Sequence, residues 1–305
     1  MYHSPVLLRE SVEILHVIPE GIYVDATFGG GGHSAAILAL LDSRGSLYAF
    51  DQDRDAHANA AQAPFDAHPG FHFVASNFRH LKRQLRALGV LPGTVDGILA
   101  DLGVSSYQID TPERGFSYRF DAELDMRMNP DGGLRADTVL NTYSAAELQR
   151  VFSDYGELRN ARTLAQACAQ FRAERPFRTT AELVALCDTH RIGERWRYLS
   201  QVFQALRMEV NEEVAALADF LREAREMLKP GGRLAVITYH SIEDRLVKNF
   251  LKAGNAEGEP VKDFYGNIER PFELLLKKAL EPTDQEIKEN PRARSAKLRG
   301  GARIK

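Results

Sequence analysis

Four consecutive glycines at residues 29–32, directly after a short apolar run, constrain the fold of this chain more than any other feature. An ordered glycine loses more conformational freedom than any other residue, so the run indicates positive φ angles or a ligand held against bare backbone. Residues 22–27 have the pattern of a buried strand and residues 34–41 that of a helix. The glycines therefore lie in a strand-to-helix turn, where a doubly wound sheet binds a nucleotide-bearing cofactor. Taken alone, the motif also fits a purely structural turn.

Composition narrows the class of protein. The 305 residues are 44% hydrophobic and 27% charged, as in a globular protein of one large or two modest domains. No apolar run approaches the roughly 18 residues of a membrane span, and the amino terminus lacks a secretory signal pattern, so we predict a cytoplasmic protein without a membrane partner. Cys168 and Cys187 lack metal-ligand spacing, so we expect buried thiols and no metal site. With a net charge of −3, any nucleic-acid partner must be bound by local basic patches.

Acidic residues follow two further predicted strands. Residues 46–50 end at Asp51, and residues 95–100 end at Asp101. An acid at the tip of the second strand, about 20 residues past the glycines, is placed to bind ribose hydroxyls, although Asp is also a preferred helix cap. We assign Asp51 to the ribose and Asp53 to the cap of the following helix.

Strand and helix patterns alternate up to Asp101 and predict a parallel sheet whose ligands collect at the carboxyl ends of the strands. Phe78 follows the third predicted strand, residues 71–75, where its ring could contact adenine or belong to the core. Further strands are predicted at residues 233–239, 272–279 and 296–304. Tyr239 and His240 lie at the tip of the fifth strand. We therefore predict an α/β fold with a Rossmann-like sheet of about seven strands.

The regular alternation stops after Asp101. Residues 102–141 have no clean period and are rich in Gly, Ser, Asp and Arg, which predicts a substrate loop or lid. Residues 145–206 show helical patterns without a strand candidate, and their arginines suit either a solvated face or contacts to phosphate and bases. The last 16 residues contain six basic and no acidic residues, which is typical of a solvated end or of a polyanion-binding segment.

The glycine turn, Asp51, Asp101 and the tip of the fifth strand converge on one edge of the predicted sheet. Such an edge suits a nicotinamide-dependent oxidoreductase or an S-adenosylmethionine-dependent methyltransferase, whose first strand typically ends in an acid, as Asp25 does here. There is no Gly-Lys-Ser/Thr motif, so a P-loop enzyme is not expected.

A series of motifs extends from the amino terminus to the carboxyl terminus. They lie at residues 3–8 (His-Ser-Pro-Val-Leu-Leu), 25–34 (from Asp25 through the glycines to Ser34), 101–106 (Asp-Leu-Gly-Val-Ser-Ser), 113–117 (Glu-Arg-Gly-Phe-Ser), 124–128 (Leu-Asp-Met-Arg-Met), 203–207 (Phe-Gln-Ala-Leu-Arg), 240–245 (His-Ser-Ile-Glu-Asp-Arg) and 290–295 (Asn-Pro-Arg-Ala-Arg-Ser). In order and spacing, this set resembles the RsmH family, formerly called MraW, of bacterial small-subunit ribosomal RNA cytosine-N4 methyltransferases.

The resemblance implies a class I S-adenosylmethionine methyltransferase domain formed by residues 1–112 and 206–305. An all-helical substrate-recognition domain, residues 113–205, is inserted between strands four and five. The implied substrate is N4 of a cytidine in the decoding region of 16S ribosomal RNA within the small subunit, and a homodimer is left open. The family's cofactor positions fall on Gly31, Gly32, His33, Asp51, Phe78, Asp101 and Gln108. The alternative to an enzyme is a protein that has the same fold and binds the ribosome without catalytic activity.

Two segments depart from the family pattern. Gly30 stands where relatives often carry another residue, a difference of small consequence. Residues 195–200 (Arg-Trp-Arg-Tyr-Leu-Ser) replace the His-Pro-Ala-Thr-Arg form that is common in relatives, so the resemblance does not define how the inserted domain docks.

The implied reaction needs an acceptor for a proton, because the amine of cytosine is a poor nucleophile that gains positive charge as it is methylated. DNA amino-methyltransferases use an acid or Asn before Pro-Pro-aromatic, and residues 101–104 lack the prolines and the aromatic. We predict that Asp101 or a nearby carbonyl accepts the hydrogen and that Tyr239 or His240 borders the base, with a structural role as the alternative for His240. RNA contacts are predicted at Arg114, Arg119, Arg127, Arg292, Arg294 and Lys297.

Overall fold

In the computed structural model, which describes residues 5–262, 265–266 and 270–305, seven strands form one sheet. The strands are β1 (Ile22–Asp25), β2 (Ser46–Asp51), β3 (Phe71–Ala75), β4 (Val95–Asp101), β5 (Leu228–Thr238), β6 (Phe272–Leu274) and β7 (Lys297–Arg303). Their order is β3-β2-β1-β4-β5-β7-β6; β1 to β5 are parallel, and β7 is antiparallel to both of its neighbours. The predicted α/β fold with a sheet of about seven strands is confirmed.

The helices of the described ranges alternate with the first four strands, seven helices then lie between β4 and β5, and one helix separates each later pair of strands along the chain. They are α1 (Leu8–Leu15), α2 (Gly32–Leu38), α3 (Arg54–Ala60), α4 (Leu81–Ala87), α5 (Ser106–Asp110), α6 (Ala136–Thr142), α7 (Ala145–Asp154), α8 (Ala161–Glu174), α9 (Thr180–His190), α10 (Arg195–Val210), α11 (Glu213–Met227), α12 (Ser241–Ala253) and α13 (Asp284–Glu289). Among the described residues, no helix has both the length and the hydropathy that crossing a membrane requires.

The chain divides into two compact units. The sheet unit consists of Met1–Gly103 and Val214–Lys305, and the helical unit of Val104–Glu213, which contains α5 to α10. In sequence, the helical unit lies between β4 and β5. Residues 3 and 4, which open the first family motif, lie outside the described residues. That residues 113–205 recognise the substrate stays a prediction.

Side chains of the central strands alternate between two apolar clusters, one on each face of the sheet. Ile98 and Val236 pack in the cluster that contains residues of α4 and α11, whereas Leu99 and Ile237 pack in the one that contains residues of α1 and α2. Because helices cover both faces, these strands are apolar almost throughout. This is the physical reason why they can be recognised in the sequence as continuous buried runs.

The connection from α11 to β5 differs from the predicted one. The sequence indicated a helix ending at residue 228 and a strand starting at Arg233, with Lys-Pro-Gly-Gly between them. In the structure β5 begins at Leu228, which pairs with Val95, while Arg233 pairs with Gly97. Residues 229–232 form a bulge opposite a single residue of β4, and the positive φ of Gly231 allows it. The Pro-Gly-Gly segment therefore interrupts a strand and does not precede it.

The basic carboxyl-terminal segment is part of the sheet. It forms a 3₁₀ helix, Pro291–Ser295, and then β7, which lies between β5 and β6. Arg299 of β7 donates to both carboxylate oxygens of Asp244 on α12, at 2.7 and 3.0 Å. The predicted strand at residues 296–304 is confirmed, and the one at residues 272–279 is shorter than predicted. Pairing, not a free end, determines where these basic residues lie.

The irregular residues after β4 contribute to the core of the helical unit. Leu124 and Met126 are fully buried in the cluster that contains Phe152 and Phe203. The segment also contains the short helices α5 and α6. Apolar positions without a period escape a periodicity search, although they pack as tightly as those of a helix.

Truncating Leu99 tests the central position of β4. Leu99→Ala removes a side chain with 0% exposure from the cluster under α1 and α2, and we expect the free energy of unfolding to fall by about 2–5 kcal/mol. The matched control is Leu40→Ala, because Leu40 is 47% exposed and should change stability by about 0.5 kcal/mol or less. Urea unfolding followed by circular dichroism measures both. Equal losses in the two variants would contradict this packing.

Candidate active site

The glycine turn joins β1 to α2, and the packing of the protein itself requires glycine at two of its positions. Gly31 has a φ of +78°, and a Cβ there would lie 2.5 Å from Cζ of Phe65. A Cβ on Gly32 would overlap the ring of Pro5. Gly29 also has a positive φ, +51°, and its carbonyl accepts a hydrogen bond from the Asn59 amide at 3.0 Å. The packing of Phe65 and Pro5 against the turn therefore explains why glycine is needed at positions 31 and 32.

Asp51, at the end of β2, holds the glycine turn in place. Its Oδ2 accepts from the Gly29 N–H at 2.8 Å, and its Oδ1 accepts from the Asp53 N–H at 2.9 Å. Burial raises the pKa of Asp51 to about 6, and the two backbone donors oppose that rise. Asp53 accepts from the Asp55 N–H at 3.1 Å and caps α3, as predicted. Assignment of Asp51 to a ribose stays a prediction.

Asp25, at the end of β1, is a fully buried structural acid. Its Oδ2 accepts from the Ser34 hydroxyl at 2.7 Å and its Oδ1 from the Thr27 N–H at 3.1 Å. Burial raises the pKa of Asp25, and nearby His33 opposes the rise. These bonds connect both ends of the turn to the strand that precedes it.

Asp101, at the end of β4, has a different partner at each oxygen. The Tyr239 hydroxyl donates to Oδ1 at 2.8 Å, and Nδ1 of His33 lies 3.9 Å from Oδ2. The Asp101 N–H donates to the hydroxyl oxygen of Thr27 at 2.7 Å. Burial raises the pKa of Asp101 to about 6, while His33 and Tyr239 lower it. Asp101 is thus an oriented carboxyl group that is more basic than an ordinary aspartate.

The proton arrangement of His33 follows from its second contact. Nε2 lies 3.1 Å from the carbonyl oxygen of Val6, and a carbonyl oxygen can only accept. Nε2 therefore carries a proton, and Nδ1 is the nitrogen that faces Asp101. At 3.9 Å, Nδ1 is too far from Oδ2 for a hydrogen bond, so His33 acts on Asp101 through charge alone. The sequence could not predict this contact with Val6, because every residue has a backbone carbonyl and the side chain of Val6 takes no part.

The two side chains at the tip of β5 have different surroundings. Tyr239 contacts Asp101, and burial raises the pKa of its hydroxyl well above the ordinary value, so the group stays a donor. His240 caps α12 through Nδ1, which accepts from the Glu243 N–H at 3.4 Å, and its Nε2 lies 3.1 Å from Glu243 Oε1. Glu243 in turn accepts from the Tyr239 N–H at 2.9 Å. His240 therefore caps α12, and the Tyr239 hydroxyl contacts Asp101. That Tyr239 or His240 borders the base stays a prediction.

Phe78 packs partly in the core. Its half-buried ring meets Phe220 edge-to-face with centroids 5.2 Å apart, so one side belongs to the core. The preceding residue, Asn77, donates to Gln52 Oε1 at 3.0 Å and connects the ends of β2 and β3. Contact of the exposed part of Phe78 with adenine stays a prediction.

Gln108 belongs to the helical unit, where it forms a capping box. Its Oε1 accepts from the Ser105 N–H at 3.0 Å, and the Ser105 hydroxyl accepts from the Gln108 N–H at 3.2 Å. The Ser-x-x-Gln spacing that identifies such a box is visible in the sequence. A cofactor contact by Gln108 stays a prediction.

Two of the three loop arginines predicted to contact RNA also have structural partners. Arg114 donates to the carbonyl oxygens of Arg127 and Met128 at 2.9 and 3.1 Å. The Arg127 guanidinium forms two hydrogen bonds with Asp125, at 2.8 and 2.7 Å. Arg119 is exposed. Of these three residues, Arg119 presents its side chain most openly to a partner.

The three basic residues predicted at the carboxyl terminus precede or begin β7. Lys297 is paired with Thr238 in the sheet, so it lies beside the carboxyl end of β5. Tyr239 is the residue that follows Thr238. Arg294 is exposed, and Arg292 and Lys297 are half-buried. The segment therefore lies at the same edge of the sheet as the buried carboxylates, and its contact with RNA stays a prediction.

Raised pKa values at this edge predict how stability depends on pH. Asp51 and Asp101 have pKa values of about 6 in the folded protein, against an ordinary 3.8, so the folded chain binds more protons between about pH 4 and pH 6. The free energy of unfolding should therefore contain a contribution that falls as pH rises through this window. Asp101→Asn keeps an acceptor for Tyr239 but cannot titrate, so its slope should be smaller. Urea unfolding from pH 4 to pH 7 measures it, with the exposed Asp66→Asn as control. Identical slopes in all three proteins would contradict the burial of Asp101.

Comparison with known proteins gives one consistent family. The sequence profile described as the MraW methylase family matches residues 1–304. "Ribosomal RNA small subunit methyltransferase H" of Cytophaga hutchinsonii is 53% identical over 300 residues, which cover 98% of this chain and 98% of that protein. The proteins of the same name from Parabacteroides distasonis and Flavobacterium johnsoniae are also 53% identical, over 300 and 305 residues, covering 98% and 99% of this chain and 96% and 98% of theirs. Because both the profile and these relatives extend over nearly the whole chain, the chain belongs to the MraW methylase family.

Proposed function

We propose that this protein transfers a methyl group from S-adenosylmethionine to N4 of a cytidine in the decoding region of 16S ribosomal RNA, in the small ribosomal subunit. Membership of a methylase family and relatives named as small-subunit ribosomal RNA methyltransferases support the reaction and the RNA. The observation that carries the mechanism is Asp101, a carboxyl group held between Tyr239 and His33 at the carboxyl edge of the sheet. The choice of the cytidine and of N4 follows from the motifs discussed above.

The residues at the sheet edge fit this cofactor. Both oxygens of Asp51 accept one backbone N–H each, and a carboxylate oxygen has a second lone pair, so ribose hydroxyls can donate to Asp51 as well. This cofactor has no pyrophosphate, so Gly31, Gly32 and His33 would border its sugar and methionine portions, and Phe78 its adenine. When bound, S-adenosylmethionine supplies an electrophilic methyl group. The nicotinamide alternative loses its support, because the chain belongs to a methylase family.

Asp101 takes up the proton that the cytosine amine must release. As the bond from N4 to the methyl carbon forms, the carbon–sulfur bond breaks and N4 becomes positively charged, so an N4 proton passes to a carboxylate oxygen. The Tyr239 hydroxyl donates to Oδ1, and Nδ1 of His33 lies 3.9 Å from Oδ2. With its pKa raised to about 6 by burial, Asp101 is ionised at neutral pH and still more basic than an exposed aspartate.

Methyl transfer by Asp101→Asn tests the reaction and the role of Asp101. Tritium-labelled S-adenosylmethionine is incubated with small subunits that lack the modification, and the labelled nucleotide is then mapped. The parent protein should label N4 of one cytidine. Asp101→Asn should be about 100-fold slower or worse, because Asn accepts from Tyr239 but takes up no proton.

Equilibrium binding of labelled cofactor separates the two roles assigned to Asp101, and Asp66→Asn should transfer at the parent rate. A parent rate for Asp101→Asn would rule out Asp101 as the acceptor. Absence of transfer by the parent would favour a binding module without activity, and label on another atom would contradict the proposed target.

Contact of the RNA with the carboxyl-terminal segment is part of the proposal. Arg292, Arg294 and Lys297 precede or begin β7, beside the carboxyl end of β5, and cations there can neutralise phosphates of an RNA whose base reaches Asp101. Arg119 is the exposed member of the loop set, and Arg114 and Arg127 can add charge from their structural positions.

Replacing Arg292, Arg294 and Lys297 by Gln should weaken subunit binding and flatten its salt dependence. Each lost phosphate contact lowers the slope of log K against log salt by about 0.7–0.9, so the triple variant should lose up to about 2–3. Binding of labelled small subunits across a salt series measures the slope. Lys248 and Lys252 are exposed lysines of α12, and replacing both by Gln controls for net charge. Equal changes per charge in both variants would contradict a specific contact.

A further inference from the structure

The chain contains one tryptophan, Trp196, and it lies on the surface of the helical unit. It occupies the first turn of α10 and is 63% exposed. Residues 191–197 are exposed throughout, whereas the next two positions of α10 are buried. A side chain this exposed contributes little to the core, and a single exposed aromatic ring is by itself ordinary, so only the surroundings of Trp196 can indicate a binding surface.

The backbone beneath Trp196 is tied to the loop that precedes α6. The Ser200 hydroxyl donates to the Trp196 carbonyl oxygen at 2.8 Å and lies 3.2 Å from the Tyr118 hydroxyl. The Tyr118 ring meets Phe203 of the core edge-to-face, with centroids 5.6 Å apart. These contacts hold the start of α10, so the indole is presented from a fixed backbone and loses little entropy when it binds a partner.

Arginines flank Trp196 in the sequence. Arg195 and Arg197 are its neighbours in sequence, and exposed Arg119 is adjacent to Tyr118. Arg195 forms two hydrogen bonds with Asp188, at 2.8 and 3.0 Å, while Arg119 and Arg197 have no ion-pair partner in the described part of the chain. The acids next to these residues in sequence are exposed Asp121, exposed Glu194 and Asp188, which pairs with Arg195. Two arginines therefore remain available for a phosphate backbone.

We propose that the Trp196 surface, defined as Tyr118, Arg119, Arg195, Trp196 and Arg197, binds an unpaired base of the ribosomal RNA. The base stacks on the indole, and Arg119 and Arg197 contact the adjacent phosphates. Arginines at the positions next to an exposed tryptophan favour this partner over an apolar protein surface, which would leave the guanidinium groups unpaired. The inference rests on the proposed function, because it takes the RNA substrate from there, and it concerns one of the segments that depart from the common family form.

Intrinsic fluorescence tests the proposal directly, since Trp196 is the only indole in the chain. The full-length protein is titrated with a single-stranded RNA of about 12 nucleotides from the target region, and its binding is followed independently by anisotropy of a label on the RNA. Stacking predicts saturable quenching with the same midpoint as the anisotropy change. A duplex of the same sequence should not quench, because its bases are already stacked. Binding without quenching, or equal quenching by the duplex, would overturn the proposal.

Substitution supplies the second readout. Trp196→Ala should weaken binding of the single strand by about 10- to 100-fold, and Trp196→Phe should restore most of the affinity. Ile192→Ala is the matched control, because Ile192 is 56% exposed and apolar but carries no aromatic ring, and it should stay within about twofold of the parent. Parent affinity for Trp196→Ala, or an equal loss in Ile192→Ala, would overturn the stacking role.

Methyl transfer to small subunits at limiting subunit concentration distinguishes this proposal from the function on which it rests. If the parent transfers methyl groups and Trp196→Ala does so with unchanged kcat/KM, the Trp196 surface is wrong and the proposed function stands. If the parent transfers none, the proposed function itself fails. Quenching by RNA-free small-subunit proteins, with none by the RNA, would identify a protein partner and overturn the proposal.

Discussion

Burial of three carboxyl groups at the ends of adjacent strands is the constraint on which the rest of the sheet edge depends. Asp51, Asp25 and Asp101 end β2, β1 and β4, which are neighbours in the sheet, and burial raises the pKa of each. Their hydrogen bonds to Gly29, Ser34 and Tyr239 offset part of that cost and determine the shape of the glycine turn. A cation at this edge would favour the ionised form of all three, which is consistent with a sulfonium-bearing cofactor.

Both ends of the described chain contribute to this edge. Pro5 covers Gly32, and the Val6 carbonyl determines which nitrogen of His33 carries the proton. The Leu7 N–H donates to Glu286 of α13 at 2.7 Å, which connects the start of the chain to the segment before β7. Residues near the two ends of the chain thus contact each other next to Val6, whose carbonyl orients the imidazole of His33.

The helical unit has its own core and uses much of its polar chemistry internally. Capping boxes at Ser105, Ser144 and Thr179 begin three of its helices, and paired arginines hold the loop before α6. Counting arginines in the sequence therefore overstates how many can bind RNA. Exposed side chains such as Trp196 and Arg119 are the ones that can contact a substrate.

Much of the secondary structure of this protein could be predicted from its sequence, because it depends on interactions between residues that are close along the chain. Continuous apolar runs predicted β1 to β5, because helices cover both faces of a parallel sheet, and the side-chain chemistry of Asp53 predicted a helix cap. Only the tertiary structure decided that β7 is antiparallel between β5 and β6, that residues 229–232 bulge, and that Arg114 and Arg127 have internal partners. It also decided that Nε2 of His33 carries a proton, that Tyr239 contacts Asp101 and that His240 caps α12. These features depend on groups distant in sequence and often on backbone atoms, and neither leaves a periodic or residue-specific pattern along the chain.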